Sequence, residues 1–351
     1  MASFEKLPLM FLLCSQTCIF LLLLWRDISP DVKQLKRAIN AEDRCHCNVT
    51  DCGDATVQHR HISRKGKPHT LSQYIDERNI HVILGNKSIC DKVAFIHVAF
   101  VVKSAVGNYQ KRQLIRQIFR RDPNYNKYTV RLLFLLGQPK VMKLQNAINE
   151  EFRQYGDIVQ GRFLDTYHNL TYKVVMGMKW MSQHCRNVKY VVKMDDDVYV
   201  DLHNFFSYIY NSFRTSDRTI VCRTMFRRHV SVNRRGKWGV QKYDFRHYVQ
   251  YPVSYCSGFA VVIPGPMIPT LFKATLTVPA FWIDDVYLFG MVREVIRKSV
   301  LHDITRKKYF EYDPSKKCLQ RPKCQLVFAV LSYKWMVRVW QERQKYLPRK
   351  H

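Results

Sequence analysis

Residues 189–200, KYVVKMDDDVYV, place three consecutive aspartates, Asp195, Asp196 and Asp197, inside an apolar run. Carboxylates are hard oxygen ligands, and Mg²⁺ or Mn²⁺ commonly takes one or two of them from protein and completes its shell with phosphate oxygens. Alternate residues of an extended chain share a face, so Asp195 and Asp197 can converge while Asp196 points away. The triplet therefore points to a divalent metal and a phosphate-bearing substrate, with a solvated acidic turn as the plain alternative. A second acidic pair, Asp284 and Asp285, lies in residues 281–290, FWIDDVYLFG, among Phe281, Trp282, Ile283, Val286 and Tyr287. Apolar surroundings raise a carboxyl pKa, which suits a general base. The alternative is that one of the two caps a helix running from Val286 to Ile296.

The elements around these residues follow an α/β pattern. Residues 93–102 are apolar and β-branched enough for a buried strand, and 103–108 read as a loop. Residues 109–121 have helical spacing, with Leu114, Ile118 and Phe119 on the apolar side. Strands follow at 129–137, 157–163 and 190–194, with helices at 140–156, ended by Gly156, and at 171–185. Strands alternating with helices imply a mostly parallel sheet covered on both faces. Ligands of such sheets bind outside the carboxyl ends of the strands. The triplet stands at that end of the 190–194 strand, on the rim of the expected crevice.

The chain has 351 residues, with 57 Lys plus Arg against 28 Asp plus Glu, a formal charge of +29. That excess suits a polyanion, an anionic membrane surface or an acidic substrate. Residues 7–25 argue against nucleic acid: they carry no charge and as a helix would extend about 28 Å, close to the hydrocarbon thickness. Trp25-Arg26-Asp27 offers no small-residue cleavage site, so the segment reads as an uncleaved signal anchor. Lysines and arginines flank the span in a way that leaves its orientation open. Nine cysteines lie beyond it, with sequons at Asn48, Asn86 and Asn169. Together these fit an oxidising lumen. Cys45, Cys47 and Cys52 are too tightly spaced for a zinc finger. Residues 26–92 are polar and read as a stem, a small cysteine-stapled subdomain being the alternative. Residues 227–247 are rich in Arg, Lys and aromatics, and suit either an acidic glycan or plain solvation. Residues 331–351 form a candidate basic amphipathic helix.

Taken together, VVKSAVGNYQKRQLIR (101–116), YGDIVQGRFLDTYHNLTYKV (155–174), KMDDDVYV (193–200), YPVSYCSGFAVVI (251–263) and IDDVYLFG (283–290) resemble, in order, the β1,3-glycosyltransferases of family 31. That group contains galactosyl- and N-acetylglucosaminyltransferases. The resemblance implies a GT-A-type nucleotide-sugar-binding fold, a UDP-sugar donor, Mn²⁺ or Mg²⁺, and a type II Golgi membrane protein. It implies a cytoplasmic tail at 1–6, the anchor at 7–25, a lumenal stem at 26–92 and a catalytic domain at 93–351. Asp285 looks like the base that deprotonates the acceptor. Asp197 looks like the direct metal ligand, with Asp195 facing donor and metal. Lys103, Arg112, Arg116, Asp165, Asn169 and Lys173 fall where the family approaches the nucleotide, and Asp196 stands with them or serves the fold alone. His302 in SVLHD is a candidate to complete the metal shell, a surface histidine being its alternative.

The implied reaction moves a hexose, galactose first and N-acetylhexosamine second, in inverting β1,3 linkage. Its acceptor would be a glycan of a glycoprotein, glycolipid or proteoglycan linkage. The chain departs from the family at Gln117-Ile118-Phe119 (usually x-Thr-Trp), Val106 (usually Pro), Phe259-Ala260 (usually Gly-rich) and Asp284 (usually Glu). These departures keep a rival in view, a catalytically silent membrane-anchored sugar-binding protein of the same fold. A metal-dependent phosphohydrolase or nuclease would gather two metals and more ligands than this pattern offers.

Overall fold

The computed structural model describes residues 74–91, 93–212, 216–305, 309–312 and 324–345. The expected tail, membrane anchor and most of the stem, with Asn48, Cys45, Cys47 and Cys52, lie outside the described residues. Among the described residues no helix is long and apolar enough to cross a membrane. All the described residues fall within one compact unit, Pro68–His351.

Its centre is a mixed, mostly parallel sheet in the order β1-β4-β3-β2-β5-β8-β7-β9. The strands are β1 (Val82–Leu84), β2 (Ile96–Lys103), β3 (Val130–Gln138), β4 (Ile158–Leu164) and β5 (Val188–Asp195), then β7 (Thr219–Met225), β8 (Tyr255–Pro264) and β9 (Val300–Asp303). β4, β3, β2 and β5 run parallel, while β8 is antiparallel to both β5 and β7. A smaller sheet joins β6 (Val198–Val200) to β11 (Phe328–Val330) and β10 (Phe310–Tyr312). The long helices are α1 (Tyr109–Arg121), α2 (Met142–Tyr155), α3 (Leu170–His184), α4 (Ile268–Thr275) and α5 (Tyr333–Gln344).

The inner strands form because they are nearly continuous apolar runs that both faces of a covered sheet can bury. β2 buries all but one of its residues, Lys103 included. α1 spans the residues its periodicity predicts, burying Leu114, Ile115, Ile118 and Phe119. α2 stops at Gly156, whose φ of 65° is the left-handed conformation glycine supplies without a Cβ clash. α5 bears out the C-terminal helix, but packs Met336, Val339 and Trp340 into the core.

One expected boundary moves. Residues 74–91 fall within the stem read from sequence, yet they belong to the folded unit. β1 pairs with β4 as an edge strand, and Cys90 is disulfide-bonded to Cys185 at the end of α3. A second disulfide, Cys222–Cys256, ties β7 to β8, and Cys324 is also disulfide-bonded. Such bonds form and persist in oxidising compartments.

After β2 the chain builds outward through β3 and β4, then returns by α3 to lay β5 on the other side of β2. The carboxyl ends of β2 and β5 are therefore the topological switch point of the sheet, where α/β sheets open a crevice. Lys103 and Asp195, the last residues of those strands, are register partners there.

Candidate active site

The triplet is not one extended segment. Asp195 ends β5, Asp196 and Asp197 form a tight turn, and β6 begins at Val198. The turn is held from outside by Leu331, whose N–H donates to the Asp197 carbonyl at 2.8 Å. Within the turn the Asp196 side chain is bound apart from its neighbours. Asp196 is buried and accepts from Ser104 Oγ, Asn108 Nδ2 and Lys111 Nζ at 2.8, 2.8 and 2.9 Å. Asn108 stands at the N-cap position of α1 but makes no capping bond, because its amide is turned to Asp196. Asp196 thus fixes the loop after β2.

Asp195 keeps its Oδ1 buried, 3.1 Å from Lys103 Nζ in an ion pair without hydrogen-bond geometry, so that oxygen retains unused accepting capacity. Burial raises the pKa of Asp195, against the pull of Lys103 and Lys193. Burial likewise raises Asp197, with Lys111 opposing. Asp197 is among the charges that raise Asp195, which places the two carboxylates in electrostatic reach of each other.

The second acidic pair opens a helical turn, Asp284–Val286, that runs on as a π-helical turn over Tyr287–Val292. Neither aspartate caps it: the N-cap is Ile283, with no side-chain bond. Asp284 is a buried counterion instead, 2.7 Å from Lys103 Nζ and 3.3 Å from Lys193 Nζ. Burial alone would raise its pKa, but the two lysines outweigh burial and hold it below the ordinary carboxylate range. Burial is outweighed in the same way at Lys103, whose pKa stands well above the usual lysine value because Asp195, Asp284 and Asp285 surround it.

Asp285 differs from its neighbour. Its side chain is 26% exposed. Oδ2 accepts from the Gly258 N–H at 3.0 Å, and Oδ1 lies 3.1 Å from Lys193 Nζ. Burial raises its pKa above the ordinary aspartate value, the nearby Lys193 opposing. A reachable carboxylate with fixed orientation and raised pKa is what proton abstraction requires. β8 supplies the other wall: a Cβ on Gly258 would come 1.6 Å from Asp285 Oδ1, so only glycine lets the carboxylate approach.

Lys193 is the residue that sequence reading passed over. Its side chain is fully buried, and its ammonium donates to the Gly258 carbonyl at 2.7 Å and to Asp285. The available signal was a lysine at an inward position of an apolar strand, two residues before Asp195 and so on the same face.

Most of the residues assigned to nucleotide contact are committed elsewhere. Arg112 makes a two-armed pair with Glu151 and donates to the Ala105 carbonyl at 2.7 Å. Arg116 does the same with Asp157 and reaches Glu151 at 2.8 Å. Lys173 donates to Asp165 and to the Ser104 carbonyl, while Asp165 accepts from the Gly137 N–H. Arg112 and Lys173 thereby hold the loop that follows β2. Each is buried beside an opposite charge that sequence spacing does not reveal. Glu151→Ala leaves the buried Arg112 guanidinium without its carboxylate, while Arg116 keeps Asp157, and is expected to cost about 3–5 kcal/mol of stability, measurable by urea unfolding; a loss under about 1 kcal/mol would show the pair to be dispensable.

Asn169 lies between its two assigned roles. Its amide donates to the Leu164 carbonyl, and the Thr171 hydroxyl is buried against the Phe281 carbonyl. Asn86 sits in a turn with Lys87 and Ser88 exposed. His302 lies exposed on β9, level with Val192 of β5 through Val221 and Val262. Three strand steps separate them, about 14 Å, so the fold does not bring His302 to Asp195 and Asp197. Among the described residues no group of three or more His, Cys, Asp or Glu gathers as a metal cluster.

The fold and site define an α/β protein with lysines and carboxylates paired at the switch point of its sheet. The chain belongs to the Galactosyltransferase family, matched over residues 110–302, from α1 through Asp285 to β9. Beta-1,3-galactosyltransferase 2 of Homo sapiens is 27% identical over 271 residues, covering 76% of this chain and 62% of that relative. UDP-GalNAc:beta-1,3-N-acetylgalactosaminyltransferase 1 of Mus spicilegus is 29% identical over 198 residues, covering 54% and 58%. The chain thus spans under two thirds of the length of these two relatives. Among solved structures, a glycosyltransferase involved in the glycosylation of the major capsid of PBCV-1 is similar at a TM-score of 0.37 and 9% identity, over 71% of this chain and 99% of that one.

Proposed function

We propose that this protein is an inverting β1,3-glycosyltransferase that moves a hexose, galactose before N-acetylhexosamine, from a UDP-sugar to a glycan acceptor. The observation that carries the reading is Asp285, a reachable carboxylate of raised pKa, aimed by Lys193 and Gly258 beside the cluster containing Asp195. Asp285 takes the proton of an acceptor hydroxyl. The acceptor oxygen then bonds to the anomeric carbon from the face opposite the diphosphate. The anomeric C–O bond breaks, its electron pair leaves with UDP, and the sugar configuration inverts. Lys193 keeps the base oriented but is not itself in contact with the reacting atoms.

Asp197 and Asp195 are the groups that would hold Mn²⁺ or Mg²⁺. Five carboxylates, Asp195, Asp196, Asp197, Asp284 and Asp285, stand with three ammonium groups, Lys103, Lys111 and Lys193. That imbalance, with the spare accepting capacity of Asp195 Oδ1, suits a hard dication. When bound, such an ion neutralises charge on a departing diphosphate. Asp197→Ala is expected to abolish Mn²⁺-dependent UDP binding in calorimetry, and transfer with it, without lowering the melting temperature. Undiminished Mn²⁺-dependent binding would remove Asp197 from this role.

The apolar segment 7–25, the sequons and the disulfides support a single-pass type II protein of the Golgi membrane. Acceptors are then glycans of glycoproteins, glycolipids or proteoglycan linkages. UDP release from UDP-Gal, UDP-GlcNAc and UDP-GalNAc, with and without an acceptor panel, tests the whole reading. Acceptor-stimulated release from one donor is expected. Saccharide binding without release from any donor would instead mark a silent sugar-binding protein.

A further inference from the structure

We infer that the segment between β7 and β8 is an acceptor platform for an anionic saccharide, one bearing carboxylate or sulfate; this deepens the transferase reading and rests on it. Residues 227–247 hold seven Lys or Arg and one acid, Asp244. That is one basic residue in three, against 57 in 351 for the chain. Asp244 is buried, so the outward surface is positive. Arg227, Arg228, Arg235 and Lys242 are exposed, and none is in an ion pair among the described residues.

The segment is a built surface rather than a loose loop. Val232, Val240 and Tyr251 are buried beneath it. Arg234 donates to the carbonyls of Gln241, Asp244 and Phe245 and closes it from within. Ser231 bridges to Gln250.

It also lies against the reacting end of the crevice. The Phe245 ring meets Phe281 at 5.2 Å, three residues before Asp284. Lys237 Nζ is 4.9 Å above the Tyr167 ring and 5.4 Å from the centre of the Trp238 ring. Tyr167 in turn packs against Trp282 at 6.0 Å and feels the charges of Asp284 and Asp285. Half-exposed aromatic faces beside fixed cations suit a sugar ring carrying an anion: the ring packs on the aromatics and the anion meets the cations. Because the base stands at the foot of this wall, the saccharide held here is the acceptor.

The test measures binding to the full chain directly, without transfer. Three probes are titrated by calorimetry: a disaccharide ending in glucuronate, its sulfated counterpart and its neutral glucose counterpart. One or both anionic probes should bind about tenfold tighter than the neutral one at low salt and lose that margin as salt screens the surface. The triple variant Arg235→Glu, Lys237→Glu, Lys242→Glu should lose the margin while retaining UDP binding and neutral-sugar affinity. Should the triple variant fail to fold, Arg235→Gln and Lys242→Gln, both at exposed positions, each shrink the margin in its place. Equal affinity for charged and neutral probes, or a margin untouched by these substitutions, overturns the platform. Anionic binding through these residues with no UDP release upholds the platform and sinks the transferase reading.

Discussion

Asp285→Asn is expected to lower turnover by about 10²- to 10⁴-fold, the range a positioned general base supplies. The side chain keeps its shape, and the amide oxygen can still accept from Gly258 N–H. The base itself is lost. Stability should not fall much, and the direction follows from linkage. The folded-state pKa of Asp285 lies above its ordinary value because burial disfavours the charge. Its ionised form therefore costs the fold something at neutral pH, and a neutral isostere removes that cost. A drop in kcat with an unmoved melting temperature is the expected pair of results; wild-type kcat in Asp285→Asn would remove it as the base. The wild-type pH profile carries the same signature. The rate should fall on the acid side through a limb lying above the ordinary aspartate range. Lys193 pulls the Asp285 pKa down, so Lys193→Met should move that limb to higher pH. A role confined to packing would leave the limb in place.

Gly258→Ala should be as damaging to activity and worse for stability. The added Cβ would stand 1.6 Å from Asp285 Oδ1 and 2.0 Å from its Cγ, distances at which one group must leave. The strand cannot yield easily, since β8 is held between β5 and β7 and Cys256 is disulfide-bonded to Cys222. The carboxylate is therefore the group displaced, and the helical turn at Asp284 shifts with it. Overpacking of this kind costs about 1–3 kcal/mol, read as a lowered urea midpoint alongside lost turnover. Gly107→Ala is the control. Nothing lies within 4 Å of its added Cβ, so it should be neutral or slightly stabilising. Activity in Gly258→Ala close to wild type would show that Asp285 can work from another position.

The strand–helix alternation was legible because buried parallel strands leave apolar runs: α1 spans the residues expected, and β2 to β5 fall within a few residues of their expected ends. The triplet and the Asp284–Asp285 pair were legible as chemistry, since carboxylates amid apolar residues need a reason. What could not be read was which charges neutralise which. Arg112, Arg116 and Lys173 look like phosphate ligands until Glu151, Asp157 and Asp165 are found against them. Glu151 is 39 residues from Arg112 and on another helix, beyond any local pattern. β1 escaped notice because three residues, Val82, Ile83 and Leu84, are too few to carry a periodicity. Lys193 escaped because a single lysine in a strand reads as an interruption until its partners on β8 and the Asp284 turn are known.

Lys193 and Asp195 are two residues apart on the same face of β5. One serves the base and the other the expected donor side, so a single step of pleat, about 6.5–7 Å, acts as a ruler between the two halves of the reaction. The ruler is backbone, indifferent to which side chains surround it. Sequence can therefore drift widely around the crevice, and the peripheral loops can be rewritten for new acceptors, while the spacing stays as it was. A one-residue insertion in β5 is the change such a lineage cannot absorb.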